Sequence, residues 1–128
     1  MVDISLIREA EKRLHGHVIE TPLLSNPVLD DLAGRRVLIK PECLQKTGSF
    51  KFRGALSAVS SMSLKKRKNG VLAYSSGNHA QGVAFVANFF GIPSVIVMPE
   101  DAPKIKIKNT KRLGSEIIFY NRASEIRE

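Results

Sequence analysis

Cysteine is nearly absent: Cys43 is the single one in 128 residues, so no intrachain disulfide can form and a cysteine-based metal cluster has no ligands. A lone thiol is expected to pack as a small buried apolar group. His15 and His17 could suit a metal only with ligands from far along the chain and are read as a solvated turn, so no metal site is expected. Long apolar runs are missing too. The apolar stretches break well short of a membrane span, and the opening MVDISLIREAEKRLHGH mixes acidic and basic residues without the apolar core of a signal peptide. No membrane association is therefore expected, and the cytoplasm is the expected compartment. Neither an internal repeat nor a low-complexity tract occurs. There is no G-x-G-x-x-G and no Walker lysine motif, which leaves nucleotide binding of those kinds without support.

What remains is the composition of a globular domain, 43% hydrophobic and 25% charged. A domain near this length buries roughly two-thirds of the surface its unfolded chain exposes. Against 12 acidic residues stand 20 basic ones, a net charge of +8 that raises nucleic acid or an anionic membrane as partners. The excess is localised in Lys65, Lys66, Arg67 and Lys68, and again in Lys104, Lys106, Lys108, Lys111 and Arg112. Neither cluster is interleaved with aromatics, and the first runs into the turn signal Asn69-Gly70. Solvated helix faces are the better reading, no nucleic-acid partner is expected, and salt-dependent binding would test that. An acidic portion lying outside this chain would also account for the excess.

After an amphipathic opening segment, Thr21-Pro22-Leu23 and Asn26-Pro27 mark loops, because proline removes a donor and restricts the residue before it. Residues 37–40 form a short strand-like run. Gly48 breaks the chain, and Ser49 is placed to cap a helix whose Phe52, Ala55, Leu56, Val59 and Met62 share one face; that helix is expected to end in the basic run and Gly70. From Val71 the pattern is regular. The expected order is strand 71–74, a Ser-Ser-Gly turn, helix 78–90 stopped by Gly91 and Pro93, strand 95–98, a helix capped by Asp101 with Gly114 past its end, and strand 116–120. This β-α-β-α-β alternation predicts an α/β fold, a parallel twisted sheet covered by helices in three αβα layers. Ligands in such sheets bind at the carboxyl ends of the strands.

Two segments carry chemistry. Lys51 falls in the first turn of the helix after Gly48, where unpaired amides and the positive end of the dipole disfavour an ammonium ion. Arg53 and Lys46 are expected to push the same way, and a neutral lysine amine is the nucleophile that forms Schiff bases with aldehydes. Gly54, Ala55 and Ala58, three, four and seven positions on, are small and leave room beside the amine for a flat ring. By spacing alone, a surface lysine on an amphipathic helix is the better account. The second segment runs from Ser75 to Gly82, between a strand end and a helix start, where backbone amides, hydroxyls and an amide side chain suit a carboxylate or phosphate. An ordinary turn with serine and asparagine present for capping fits that spacing equally.

Together LQKTGSFKFRGA and SSGNHAQGVA, with TPL before them and GIPSVIVMPEDAPKIK after them, resemble the threonine dehydratase and serine racemase branch of the fold type II pyridoxal phosphate enzymes. The likeness runs from about Thr21 to the carboxyl end. It implies pyridoxal 5'-phosphate as cofactor, bound by Lys51, which becomes the base at the substrate α-carbon once displaced. It implies that Phe50 packs against the cofactor ring and that Asn78 hydrogen-bonds the phenolic oxygen. Ser75, Ser76, Asn78, His79 and Gln81 would line the substrate site, with Ser76 matching the opposite-face acid/base of serine racemases. The implied reaction is elimination of water and ammonia from L-threonine or L-serine to give a 2-oxo acid, with serine racemisation beside it. Threonine is the favoured substrate, a small amino acid the expected partner, and a homo-oligomer the expected state of the full-length protein.

In that family the phosphate-cradling glycine loop and the partner of the pyridine nitrogen lie beyond the stretch present here. The chain is thus expected to be incomplete, and residues 1–128 alone to be inactive. Residues 1–70 would be part of a larger cofactor domain and 71–128 a smaller domain that stops inside a helix begun at Ala123. The other reading is a non-catalytic piece with an interaction or regulatory role.

Overall fold

Capping residues decide where the first helices begin. In this computed structural model, which describes residues 3–125, α1 (Ile4–Leu14) starts where the Asp3 carboxylate accepts from the Ser5 amide at 3.0 Å. α2 (Pro27–Ala33) starts where Asn26 accepts from Val28 and Leu29, and it stops at Gly34 in the left-handed conformation. Between α2 and the next α-helix the chain is mostly irregular. The expected strand at 37–40 reduces to one antiparallel bridge, Leu24 with Ile39, because no second partner lies alongside to extend a ladder.

α3 (Lys51–Ser61) turns Phe52, Ala55, Leu56 and Val59 inward, as their spacing requires. It does not run on into the basic residues. Met62 is extended, and Ser63 caps a separate five-residue helix, α4 (Leu64–Lys68). Nor does Ser49 cap α3: Phe50 occupies that position, and the Ser49 hydroxyl is buried without a partner.

Strands β1 (Val71–Tyr74), β2 (Ser94–Pro99) and β3 (Glu116–Tyr120) pair in parallel in the order β1-β2-β3, with Ala73, Ile96 and Ile117 in one register row. α5 (Asn78–Phe90) and α6 (Lys104–Arg112) are the crossovers. The Asp101 carboxylate does not cap α6. It pairs instead with Arg122 at 3.0 Å, and Pro103 precedes the helix without a side-chain cap. Gly70, at φ +86°, brings the chain so close to Pro93 that an added Cβ would sit 2.6 Å from its carbonyl oxygen.

The core is continuous across these elements: Phe52, Leu56 and Val59 of α3 meet Ala80, Val83 and Val86 of α5, which cover Ile96 and Met98 of β2. Helices therefore cover the sheet face that holds Ala73 and Ile96. The other face, where a three-layer arrangement sets further helices, leaves Leu72 and Ile118 exposed. Cys43 is exposed, contrary to expectation, because the irregular segment around it contributes no apolar side chain to the core. Residues 121–125 form a turn rather than the start of a helix, and the remainder of that expected helix lies outside the described residues. Among the described residues no helix is long and apolar enough to cross a membrane.

Candidate functional site

Close approach of two helices creates the site. Gly82, in the second turn of α5, faces the first turn of α3 so tightly that a Cβ there would lie 3.2 Å from the carbonyl carbon and oxygen of Lys51. No larger residue fits without moving one helix. Lys51 thus sits where the start of α3 meets the start of α5, just past the carboxyl end of β1. That is the position expected for a ligand site in a parallel sheet.

A cavity of about 410 Å³ opens beside it, bordered by Phe50, Lys51, Gly54, Ala55, Ala58 and His79 and backed by Val71 and Ala73 of β1. Gly54, Ala55 and Ala58 are the small residues predicted to leave room beside the amine. The Phe50 ring is exposed and its centroid lies 5.0 Å from the Lys51 amine. His79 is held below the ordinary imidazole value of 6.5, by partial burial first and then by the positive charge of Lys51. At neutral pH its ring is therefore uncharged and can accept or donate. The walls are mostly apolar, and Lys51 brings the one amine among the residues that line them. That donor set fits a ring carrying an aldehyde.

Arg53 behaves differently from its sequence reading. Its guanidinium turns away from Lys51 and grips Glu42 with two bonds of 2.7 and 2.8 Å. Glu42 also accepts from the Thr21 hydroxyl at 2.6 Å, and Lys40 donates to the Thr21 carbonyl at 2.9 Å. The Glu42 carboxyl is pulled down to about 2, chiefly by its hydrogen bond to Arg53, against the opposing effect of burial. Gln45 completes the clamp, its amide exchanging bonds of 3.0 and 2.8 Å with the backbone of Ile19. Lys46 lies over the Phe52 ring, 5.6 Å from its centroid. Arg53 is thus paired with Glu42, and Lys46 with the Phe52 ring. Thr21 and Gln45 lie in the motifs that carry the family likeness, but neither they nor Glu42 had a role assigned from the sequence.

Of the expected site residues, Phe50, Lys51 and His79 border the cavity. Ser75, Ser76, Asn78 and Gln81 lie outside its walls, on the turn and first helical turn beside it. The Ser75 hydroxyl accepts from the Gly77 amide at 3.2 Å and so shapes the turn. Asn78 does not cap α5, which begins after Gly77 with no side-chain cap. Both Asn78 and Gln81 turn their oxygens to the same amine, that of Lys106 on α6, at 2.7 and 2.8 Å. Lys106 had been grouped with a solvated basic face. Helical spacing carried the signal against that: at about 100° per residue, Lys104, Lys108, Lys111 and Arg112 fall on one side and Lys106 on the opposite one.

A family model described as "Pyridoxal-phosphate dependent enzyme" matches residues 14–128. The L-threo-3-hydroxyaspartate ammonia-lyase of Saccharomyces cerevisiae is 47% identical over 122 residues, covering 95% of this chain and 37% of that protein. The L-threonine ammonia-lyase of Thermotoga maritima is 48% identical, covering 93% of this chain and 30% of that protein. Among solved structures, maize serine racemase superposes with a TM-score of 0.90 at 40% identity, covering 98% of this chain and 38% of the other. The chain thus spans about a third of the length of the relatives it matches.

Proposed function

The chain belongs to the pyridoxal-phosphate dependent enzymes, with the fold of the amino-terminal portion of their fold type II branch, and from that premise we propose that its site releases ammonia from a β-hydroxy amino acid. L-Threonine is the favoured substrate and L-serine the second, each giving a 2-oxo acid, with racemisation of serine at the same place. The observation that carries this is Lys51, which lines one largely apolar cavity with Gly54, Ala55 and Ala58 of its own helix and His79 at the amino-terminal end of α5. The relatives named above act on 3-hydroxy amino acids by their own names, which supports the substrate class.

Bound pyridoxal phosphate supplies an electron-withdrawing ring that makes the substrate α-proton removable. Every other part of the work falls to side chains. Lys51 would hold the cofactor through Nζ, and its amine would take the α-proton of the substrate. Phe50 covers the ring. The free amides of the first turn of α5, with Ser75, Ser76 and neutral His79 nearby, receive the substrate carboxylate. Ser76 serves the face opposite Lys51, as racemisation requires. The division of the chain at residue 70 into a cofactor domain and a smaller domain belongs to this proposal. So do a homo-oligomeric full-length protein and a cytoplasmic location.

Substituting Lys51→Ala in the holoprotein should abolish the long-wavelength absorption of bound cofactor and its fixation by borohydride. Ammonia release from L-threonine should fall by about 10²–10⁴-fold, the usual contribution of a positioned acid or base. Cofactor still fixed by borohydride in that variant would remove Lys51 from the role. Running L-threonine, L-serine and L-threo-3-hydroxyaspartate side by side ranks the substrates, and preference for hydroxyaspartate would overturn the threonine reading while keeping the reaction.

A further inference from the structure

Two side-chain amides that lie one helical turn apart on α5 share a single donor from another helix. Lys106 Nζ, half-buried, donates to Asn78 Oδ1 at 2.7 Å and to Gln81 Oε1 at 2.8 Å. Among the described residues no carboxylate pairs with Lys106, so the amides of α5 are its recorded partners. An ammonium group has three donors and no acceptor, and an amide has one acceptor end and one donor end. The consequence is directional. Rotating the Asn78 amide by half a turn would set its NH2 against the ammonium, donor facing donor, and leave the bond unmade. Asn78 is therefore fixed with its oxygen toward α6 and its nitrogen away from it.

Where the nitrogen goes follows from the helix. Asn78 and Gly82 are four residues apart and share one face of α5, and a Cβ added at Gly82 would lie 3.2 Å from the Lys51 backbone. Asn78 thus stands one turn from the point where α5 touches α3, at the end of the helix nearest the cavity.

We propose that Lys106 is a positioning residue that locks Asn78 as a hydrogen-bond donor toward the phenolic oxygen of the bound cofactor. This rests on the reading of Lys51 and Asn78 as cofactor residues. A phenolate oxygen can only accept, so an amide free to present its own oxygen would repel it. Lys106 removes that orientation. The same contact ties the start of α6 to the start of α5, so a change in how α6 sits is transmitted to the donor.

The test uses the holoprotein with Lys106→Met, Lys106→Arg, Asn78→Ala and the Lys106→Met/Asn78→Ala pair. Cofactor affinity is read by titration with pyridoxal phosphate, together with the absorption maximum of the bound form. Lys106→Met should weaken affinity about tenfold, as loss of one hydrogen bond to a charged group does, and should move the maximum. Lys106→Arg, which keeps the donors, should restore both. In the Asn78→Ala background Lys106→Met should add nothing, because its effect passes through Asn78. Unchanged affinity and spectrum, or full additivity in the pair, overturns the proposal. If Lys106→Met does not fold, the unsubstituted protein decides: by ¹⁵N NMR the Asn78 side-chain amide protons should shift when cofactor is added, and an unmoved signal overturns it. Failure of the underlying reading is separable. Borohydride fixation in Lys51→Ala would sink the cofactor site, whereas a well-behaved Lys51→Ala beside an unmoved Lys106→Met sinks this inference alone.

Discussion

Residues 3–50 and residues 71–120 are held in place by different physics. No described apolar side chain before Phe52 is buried; the buried residues there are Thr21, Gln45 and Ser49, all polar. Their order comes chiefly from the Glu42, Arg53, Thr21 and Lys40 cluster and from the Gln45 amide paired with Ile19, with Leu14 and Val18 packed against the edge of the core. The sheet unit is built the other way, with Ala80, Val83, Val86, Ile96 and Met98 closed over one another. Lys51 stands at the seam. Its helix donates Phe52 and Leu56 to the apolar core while Arg53, two residues on, anchors the polar clamp. A polar clamp fixes direction strongly but contributes modest net stability, since each bond replaces one to water. Apolar burial contributes most of the stability and little direction. A lysine at that seam draws on both.

The contrast can be broken first at its apolar end. Ile96→Ala, at a fully buried position in β2, should cost about 2–5 kcal/mol through lost transfer energy and the cavity left behind. Urea unfolding measures this, and a loss below 1 kcal/mol would show that the sheet unit is not the stable half. At the polar end Glu42→Ala should cost less, about 1–3 kcal/mol, because Arg53 and Thr21 lose their acceptor. The sign with pH is set by the direction of the Glu42 shift. Its carboxyl lies at about 2 in the folded state against 4.5 unperturbed, so this stabilisation is whole above 4.5 and is lost as pH falls toward 2. Thermal melts from pH 6 to 2 should show that acid-sensitive component in the parent and not in Glu42→Gln. Equal acid slopes in both would place the sensitivity elsewhere. The smallest effect is expected at Leu32 of α2, whose side chain is 81% exposed: Leu32→Ser should change stability by no more than about 0.5 kcal/mol. A larger drop, read by thermal melting, would mean that an apolar contact of α2 holds the first region together after all.

Much of the second region was legible in the sequence because short apolar runs and glycine stops have local causes. β1 and β3 fall on their predicted residues, α5 runs over 78–90 as expected, and β2 differs by one residue at each end. The first region was less legible. Ser49 there, like Asp101 in the second region, has the right residue type for a cap, but a cap also needs free helix amides within reach, and neither side chain makes that bond. Residues 37–40 have the apolar character of a strand and lack the neighbouring chain that would make them one. The basic run 65–68 was read as the end of α3, whereas Met62 leaves the helical region and Ser63 starts anew.

By itself the sequence determined the order of strands and helices from Val71 onward and the family likeness that points to Lys51. Each of these depends on residue type and near-neighbour spacing, which the chain carries wherever it goes. Only the tertiary structure decided which charges are companions. Arg53 was expected to act on Lys51 from two residues away, but its guanidinium is drawn to Glu42, eleven residues back. Lys106 was expected in solvent, yet it reaches 25 and 28 residues back to Gln81 and Asn78. A long cationic side chain goes to the best acceptor within its reach, and that acceptor is put there by folding.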